Sequence, residues 1–297
     1  MILSLECKWR QKKLTIIKAE NLTYTYPIGT KPAFEDVTLE VKKGEFLILT
    51  GPSGCGKTTL CRCFNGLIPH FYGGTLEGDI EVASMKVVEH QIHELARHVG
   101  LVFQNPENQL FALSVEKDVA FGLENLGLPR EEIRKRVDWA LETTGIWELR
   151  ERAPYELSGG QQQRVAIASV LAMHPEVIVL DEPTSFLDPS GAQKIFEVVN
   201  ELNRNVGITI VLVEHRLDLV SRYADRIVVM DKGRIVLDGE PRKIFDSEEA
   251  RLVGVGIPKA MRLFQILRDH GVNLSEAPIM SEEASKMIRE ALTYDRG

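Results

Sequence analysis

The chain has 297 residues, 44% of them hydrophobic and 27% charged, and 36 Lys and Arg against 43 Asp and Glu leave a net charge of −7. That apolar content supports a sizeable core, in about two domains or one large α/β domain with an appendage, and excludes disorder as the main state. The acidic balance excludes a general nucleic-acid binder, which needs a basic patch, but leaves room for a nucleotide site that is positive only locally.

In chain order, residues 1–15 carry basic side chains with no following apolar h-region, so they read as an N-terminal extension rather than a secretory signal. Residues 15–45 read as antiparallel strands joined by a turn at Pro27-Ile-Gly-Thr. An apolar strand at 46–50 precedes a Gly-rich turn and a helical pattern at 58–65. From about 105 to 174 the chain is mostly helical, with patterns at 130–143 and 159–173, which predicts a helical subdomain inserted in a sheet domain. Segments 177–180 and 208–213 are apolar throughout, as strands covered on both faces of a parallel sheet are, and a helix at 191–203 separates them. Further strands follow at 227–230 and 234–237, and the alternation of strands and helices indicates an α/β fold. Beyond 245, apolar spacing of three and four at 258–271 and 281–292 predicts a small helical appendage over 246–297. No apolar run approaches the ~20 residues of a membrane-spanning helix, so the chain reads as soluble and cytosolic.

Gly51-Pro-Ser-Gly-Cys-Gly-Lys-Thr-Thr59 fits the phosphate-loop pattern G-x-x-x-x-G-K-[ST], and it lies between a strand and a helix as that pattern requires. Gly51, Gly54 and Gly56 let the backbone bend so that the amides through Ser53 and Cys55 point inward at phosphate oxygens. The positive helix start around Thr58 and Thr59 adds to that field. Lys57 is placed to reach the β- and γ-phosphates, and the Thr58 hydroxyl is a Mg²⁺ ligand. The strand at 177–180 ends in Asp181 and Glu182: one acid can hold the Mg²⁺ shell while its neighbour orients a water. Successive strand residues point to opposite faces, so the dual role requires the chain to turn there, and Pro183 is consistent with that. Between these motifs lies Leu157-Ser-Gly-Gly-Gln161: Ser158 suits an N-cap, and Gly159 and Gly160 allow a close approach at the helix start. Alone that stretch is linker-like; its place upstream of Asp181 makes it informative.

Together these motifs resemble the ATP-binding cassette (ABC) ATPases over about residues 16–245. The resemblance identifies Gly51–Thr58 with Walker A, 157–161 with the signature and 177–181 plus Glu182 with Walker B. Gln104 matches the glutamine loop, Ser185-Phe-Leu-Asp188 the D-loop and His215 the switch histidine, while the adenine-stacking aromatic is Tyr26 or Tyr24. It implies an enzyme that hydrolyses ATP with Mg²⁺, working as a head-to-tail dimer of two copies or of this chain with a related ATPase. Each ATP then lies between one chain's Walker motifs and the signature (Ser158, Gly159, Gly160, Gln161) and Asp188 of the other. Glu182 would position or deprotonate the water, His215 would contact the γ-phosphate, and Gln104 would sense Mg²⁺.

Val102-Phe-Gln-Asn-Pro-Glu-Asn-Gln-Leu-Phe111 and the stretch from Val115 to Asn125 further resemble the ATPase (A) component of energy-coupling-factor importers, which take up vitamins and transition-metal ions. That implies a peripheral place on the cytoplasmic face of the membrane, a transmembrane T component, a small substrate-binding S component, and pairing helped by the appendage. Leu110, Phe111 and Leu113 either contact a T-component helix or belong to the core of the helical subdomain. The alternatives are another ABC importer or a soluble regulatory ABC ATPase acting on a non-membrane partner. One departure from the family pattern is Glu214-His215-Arg216, where Thr-His-Asp or Ser-His-Asp is common; the extra acid is expected to slow closure or alter the pH response. The four cysteines (Cys7, Cys55, Cys61, Cys63) lack zinc-site spacing and read as small packing residues, with Cys55 open to oxidation when its loop is empty.

Overall fold

The computed structural model describes residues 14–271 and 277–294, so most of the expected N-terminal extension lies outside it. Among the described residues, ten strands form two sheets. β1 (Thr15–Thr25), β2 (Phe34–Lys42), β4 (Thr75–Val82) and β5 (Met85–Lys86) make an antiparallel sheet in the order β2-β1-β4-β5. β3 (Phe46–Thr50), β6 (Val99–Val102), β7 (Val177–Asp181), β8 (Thr209–Val213), β9 (Arg226–Asp231) and β10 (Arg234–Gly239) make the second, in the order β10-β9-β3-β8-β7-β6. Five of these run parallel, and β10 closes one edge antiparallel to β9.

The strand patterns explain this layering. Every residue of β3, β7 and β8 is buried, because the parallel sheet is covered on both faces. Phe46 and Ile48 of β3 point into one core, beneath the helices; Leu47 and Leu49 point into another, shared with the antiparallel sheet. The turn at Pro27 is present, with Gly29 N–H donating to the Tyr26 carbonyl at 2.9 Å. β4, β5 and β6 are not among the strands expected from sequence. In β4 only Ile80 and Val82 are buried, so the apolar signal is faint. β6 is four residues long and interrupted by Gly100. That glycine is steric: a β-carbon on it would lie 1.9 Å from Val170 Cγ1, on the helix Gly159–Leu171 that rests there.

Between β6 and β7 the helices Val115–Asn125, Arg130–Thr143 and Gly159–Leu171 pack through Val119, Leu123, Val137, Leu141 and Val165 into the core beneath the parallel sheet. Asp118, buried, accepts from the Phe111 and Ala112 amides at 3.1 Å each, which pins the segment leading into these helices. Burial holds its carboxyl above the ordinary value. Near the C-terminus the helices Lys259–Asp269 and Ser281–Tyr294 match the expected pair within a few residues, and Val255, Met261 and Phe264 join the same core.

Candidate active site

The phosphate loop leaves the end of β3 and enters the helix Lys57–Phe64. Gly51 has φ +135°, and a β-carbon there would lie 1.9 Å from the Met230 carbonyl; at Gly56, with φ +103°, it would lie 2.7 Å from the Ala33 carbonyl. No other residue fits either place. Lys57 is 4% exposed, and its Nζ donates to the carbonyls of Gly51 and Pro52, each at 2.9 Å, so the ammonium is aimed into the loop. Ser53 and Gly54 are exposed at the loop's crest, while Cys55 is buried with its Sγ 3.7 Å from Lys57 Nζ. Burial pushes the Cys61 and Cys63 thiols well up, as for inert packing residues.

Thr58 Oγ1 donates to Asp181 Oδ1 at 3.0 Å, joining the helix start to the end of β7. Both are hard oxygen donors, and a hydroxyl beside a carboxylate suits Mg²⁺. Burial raises the Asp181 pKa, against the Thr58 hydrogen bond that lowers it. Glu182 has φ +49°, so the chain does turn between the two acids and sends them to different partners. Glu182 Oε2 accepts from Gln104 Nε2 at 3.0 Å and from Ser185 Oγ at 2.9 Å, and its Oε1 lies 3.1 Å from His215 Nε2. Gln104 therefore bonds Glu182 rather than the Thr58–Asp181 pair. Ser185 joins the site beyond the residues expected from sequence; its position three after Glu182 in the D-loop is the signal for it.

Glu214 corrects an expectation. Its carboxylate is 3% exposed and accepts from Thr184 Oγ1 at 2.5 Å and from the amides of His215 and Arg216 at 2.7 and 2.9 Å. It caps the turn and does not face the site as an extra acid. The two tyrosines also separate. Tyr24 is fully buried with its hydroxyl on the Gly73 carbonyl, whereas Tyr26 is half-buried beside the phosphate-loop helix. Tyr26 meets the Thr59 hydroxyl at 3.1 Å, which occupies Thr59.

The signature lies elsewhere on the surface. Ser158 caps the helix Gly159–Leu171, and Gln161 Oε1 accepts from both its N–H and its hydroxyl. Asp188 caps the helix Pro189–Glu201 through the Gly191 amide. Ser158, Gly159, Gly160, Gln161 and Asp188 line a shared cleft of about 410 Å³. Leu110 is half-buried against the core, while Phe111 and Leu113 stand 63% and 79% exposed. Phe111 and Phe121 meet edge to face at 4.6 Å.

Residues 34–185 match the family described as ABC transporter. The chain belongs to that family. This ABC ATPase is 46% identical over 279 residues to a Pyrococcus abyssi protein described as an ABC transporter ATP-binding protein, covering 92% of this chain and 100% of that one. It is 42% identical over 277 residues to the energy-coupling factor transporter ATP-binding protein EcfA1 of Caldanaerobacter subterraneus, covering 92% and 98%. Against several Methanosarcina relatives it spans only 39–47% of the partner's length. Among solved structures it resembles cbiO1 of Clostridium perfringens, part of the ABC transporter complex cbiONQ. There the TM-score is 0.72 at 40% identity, over 86% of this chain and 99% of that one. Among the described residues of the ABC ATPase, no helix is long and apolar enough to cross a membrane.

Proposed function

We propose that this ATPase is the energy-supplying subunit of a membrane importer of the energy-coupling-factor type, which admits a vitamin or a transition-metal ion through separate T and S components. In this reading Lys57 and the loop amides from Gly51 to Thr58 bind the β- and γ-phosphates, and Tyr26 stacks on the base. Thr58 and Asp181, with Gln104 nearby, would hold Mg²⁺, which supplies charge neutralisation at the phosphates. Glu182 takes or orients the proton of the attacking water, held in place by Gln104, Ser185 and His215. Ser158 and Gly160 of a second ATPase chain, a copy or a relative, donate to the γ-phosphate from a helix N-terminus. ATP then binds the closed pair better than the open one, and that difference drives closure.

The observation that carries the importer reading is the exposed Phe111–Phe121 pair with Leu113, on the segment that follows the Gln104 loop. An apolar patch there suits a helix of a membrane partner, and Asp118 holds its backbone in place. The likeness to EcfA1 and cbiO1 supports the same reading. Affinity purification from detergent-solubilised cells tests it. A large T-type membrane protein together with a small hydrophobic one is the expected result. Soluble partners alone, in ATP-loaded samples, would leave the ATPase in place and remove the importer.

A further inference from the structure

Three consecutive residues of the turn after β8 each reach across to the turn after β7. Glu214 Oε2 accepts from Thr184 Oγ1 at 2.5 Å, His215 Nε2 lies 3.1 Å from Glu182 Oε1, and Arg216 Nη1 donates to the Leu187 carbonyl at 2.8 Å. The middle link joins two partly solvated side chains, 40% and 22% exposed, and such a contact holds its geometry weakly by itself. The flanking links are better sheltered: Glu214 is buried and Arg216 is half-buried. Leu187 also continues the connection. A β-carbon on Gly159 would lie 3.5 Å from Leu187 Cδ2, and one on Gly160 3.8 Å, so the Leu187 side chain covers the glycines that open the signature helix.

We propose that Arg216 is a positioning residue for hydrolysis. It fixes the loop from Ser185 to Asp188 against the turn that carries His215. With Glu214 fixing the other flank, this one guanidinium bond holds the spacing of His215 and Glu182 on the Leu187 side, next to Gly159 and Gly160. A single Nη1–H makes the contact with that fixed backbone carbonyl, and the neighbouring Glu214 pins the opposite flank of the same turn. The proposal rests on the reading of Glu182 and His215 as hydrolytic residues. A small displacement of such a pair is expected to cost turnover far more than nucleotide affinity.

The test compares Arg216→Ala and Arg216→Lys in the full chain, purified in complex with its native partners, by steady-state ATP hydrolysis and thermal unfolding. For Arg216→Ala the expected result is a kcat reduced about tenfold, with KM for ATP changed by less than about twofold. Arg216→Lys, whose ammonium can donate to the same carbonyl, is expected to recover most of the lost kcat. An alanine variant with wild-type kcat overturns the proposal, as does a rise in KM at constant kcat. So does a lysine variant no better than alanine, or a Tm that falls in step with kcat in both. A wild-type complex that hydrolyses no ATP overturns the hydrolytic reading itself and the proposal with it, and is told apart because it needs no variant.

Discussion

His215 Nε2 lies 3.1 Å from Glu182 Oε1, and Glu182 reaches it from a left-handed backbone position at φ +49°. A non-glycine residue adopts that conformation at a cost, and the hydrogen bonds to Gln104, Ser185 and His215 hold it there. The carboxylate is thus aimed by its neighbours. Glu182→Gln is expected to bind ATP as the parent does and to turn over at least about a hundredfold more slowly. Single-turnover hydrolysis beside equilibrium binding checks this, and near-parental turnover would remove Glu182 from the role.

Tyr26 offers a ring beside the phosphate loop, held by the Thr59 hydroxyl at 3.1 Å and by the edge of Tyr24, with ring centroids 4.8 Å apart. Stacking on a base is worth about 1–3 kcal/mol. Tyr26→Ala should therefore weaken ATP binding by roughly 5- to 150-fold while leaving the affinity for inorganic triphosphate unchanged. Equal losses for both ligands would mean that the change damaged the loop instead.

Glu214 offers a stability test of its reassigned role. Removing its carboxylate strands the Thr184 hydroxyl and two amides in a site that is 3% exposed. Glu214→Ala is expected to lower the unfolding free energy by about 3 kcal/mol in urea titrations. Glu214→Gln, which keeps an acceptor oxygen, should lose less. An alanine variant as stable as the parent would contradict the capping role.

Glu176, just before β7, links the chain ahead of β3 to the chain ahead of β6, accepting from Lys43 Nζ at 2.7 Å and meeting His98 Nδ1 at 3.1 Å. The Lys43 hydrogen bond, with help from His98, holds its carboxyl below the ordinary 4.5. Because the folded value is the lower one, the stabilisation is complete above 4.5 and is lost as pH falls through the folded value. Glu176→Gln should thus be less stable than the parent at neutral pH, with the gap closing in the acid range. Urea midpoints across that range decide it, and a gap independent of pH would show that the ion pair is not its source.

Most of the parallel sheet and the phosphate loop were legible because their signals are local: unbroken apolar runs at 46–49, 177–180 and 210–213, and glycines that no side chain could replace. β4 and β6 were hidden for the opposite reason. Their strand character comes from pairing with β1 and β7, while their own residues are largely polar, as in β4, or few, as in β6. Motif residues such as Gln104, Glu182 and His215 could be named from sequence, but their mutual bonding could not, since it joins loops from three different strands. Glu214 departs from expectation on the same ground: a carboxylate beside a histidine in sequence faces the other way once β8 ends. Arg216 carries no signal at all without the Leu187 carbonyl opposite it.

Gly100 gives the signature helix a fulcrum. Val170, near the helix's C-terminal end, sits where the Gly100 side chain would be, and Ser158 caps the other end. The rise of an α-helix puts those two points about 18 Å apart. Turning the rod about 10° on that seat would sweep its capped tip through roughly 3 Å, a whole hydrogen-bond length, while the seated end scarcely shifts. Any tilt about that seat would thus be felt least at the sheet and most at the surface where Ser158 lies.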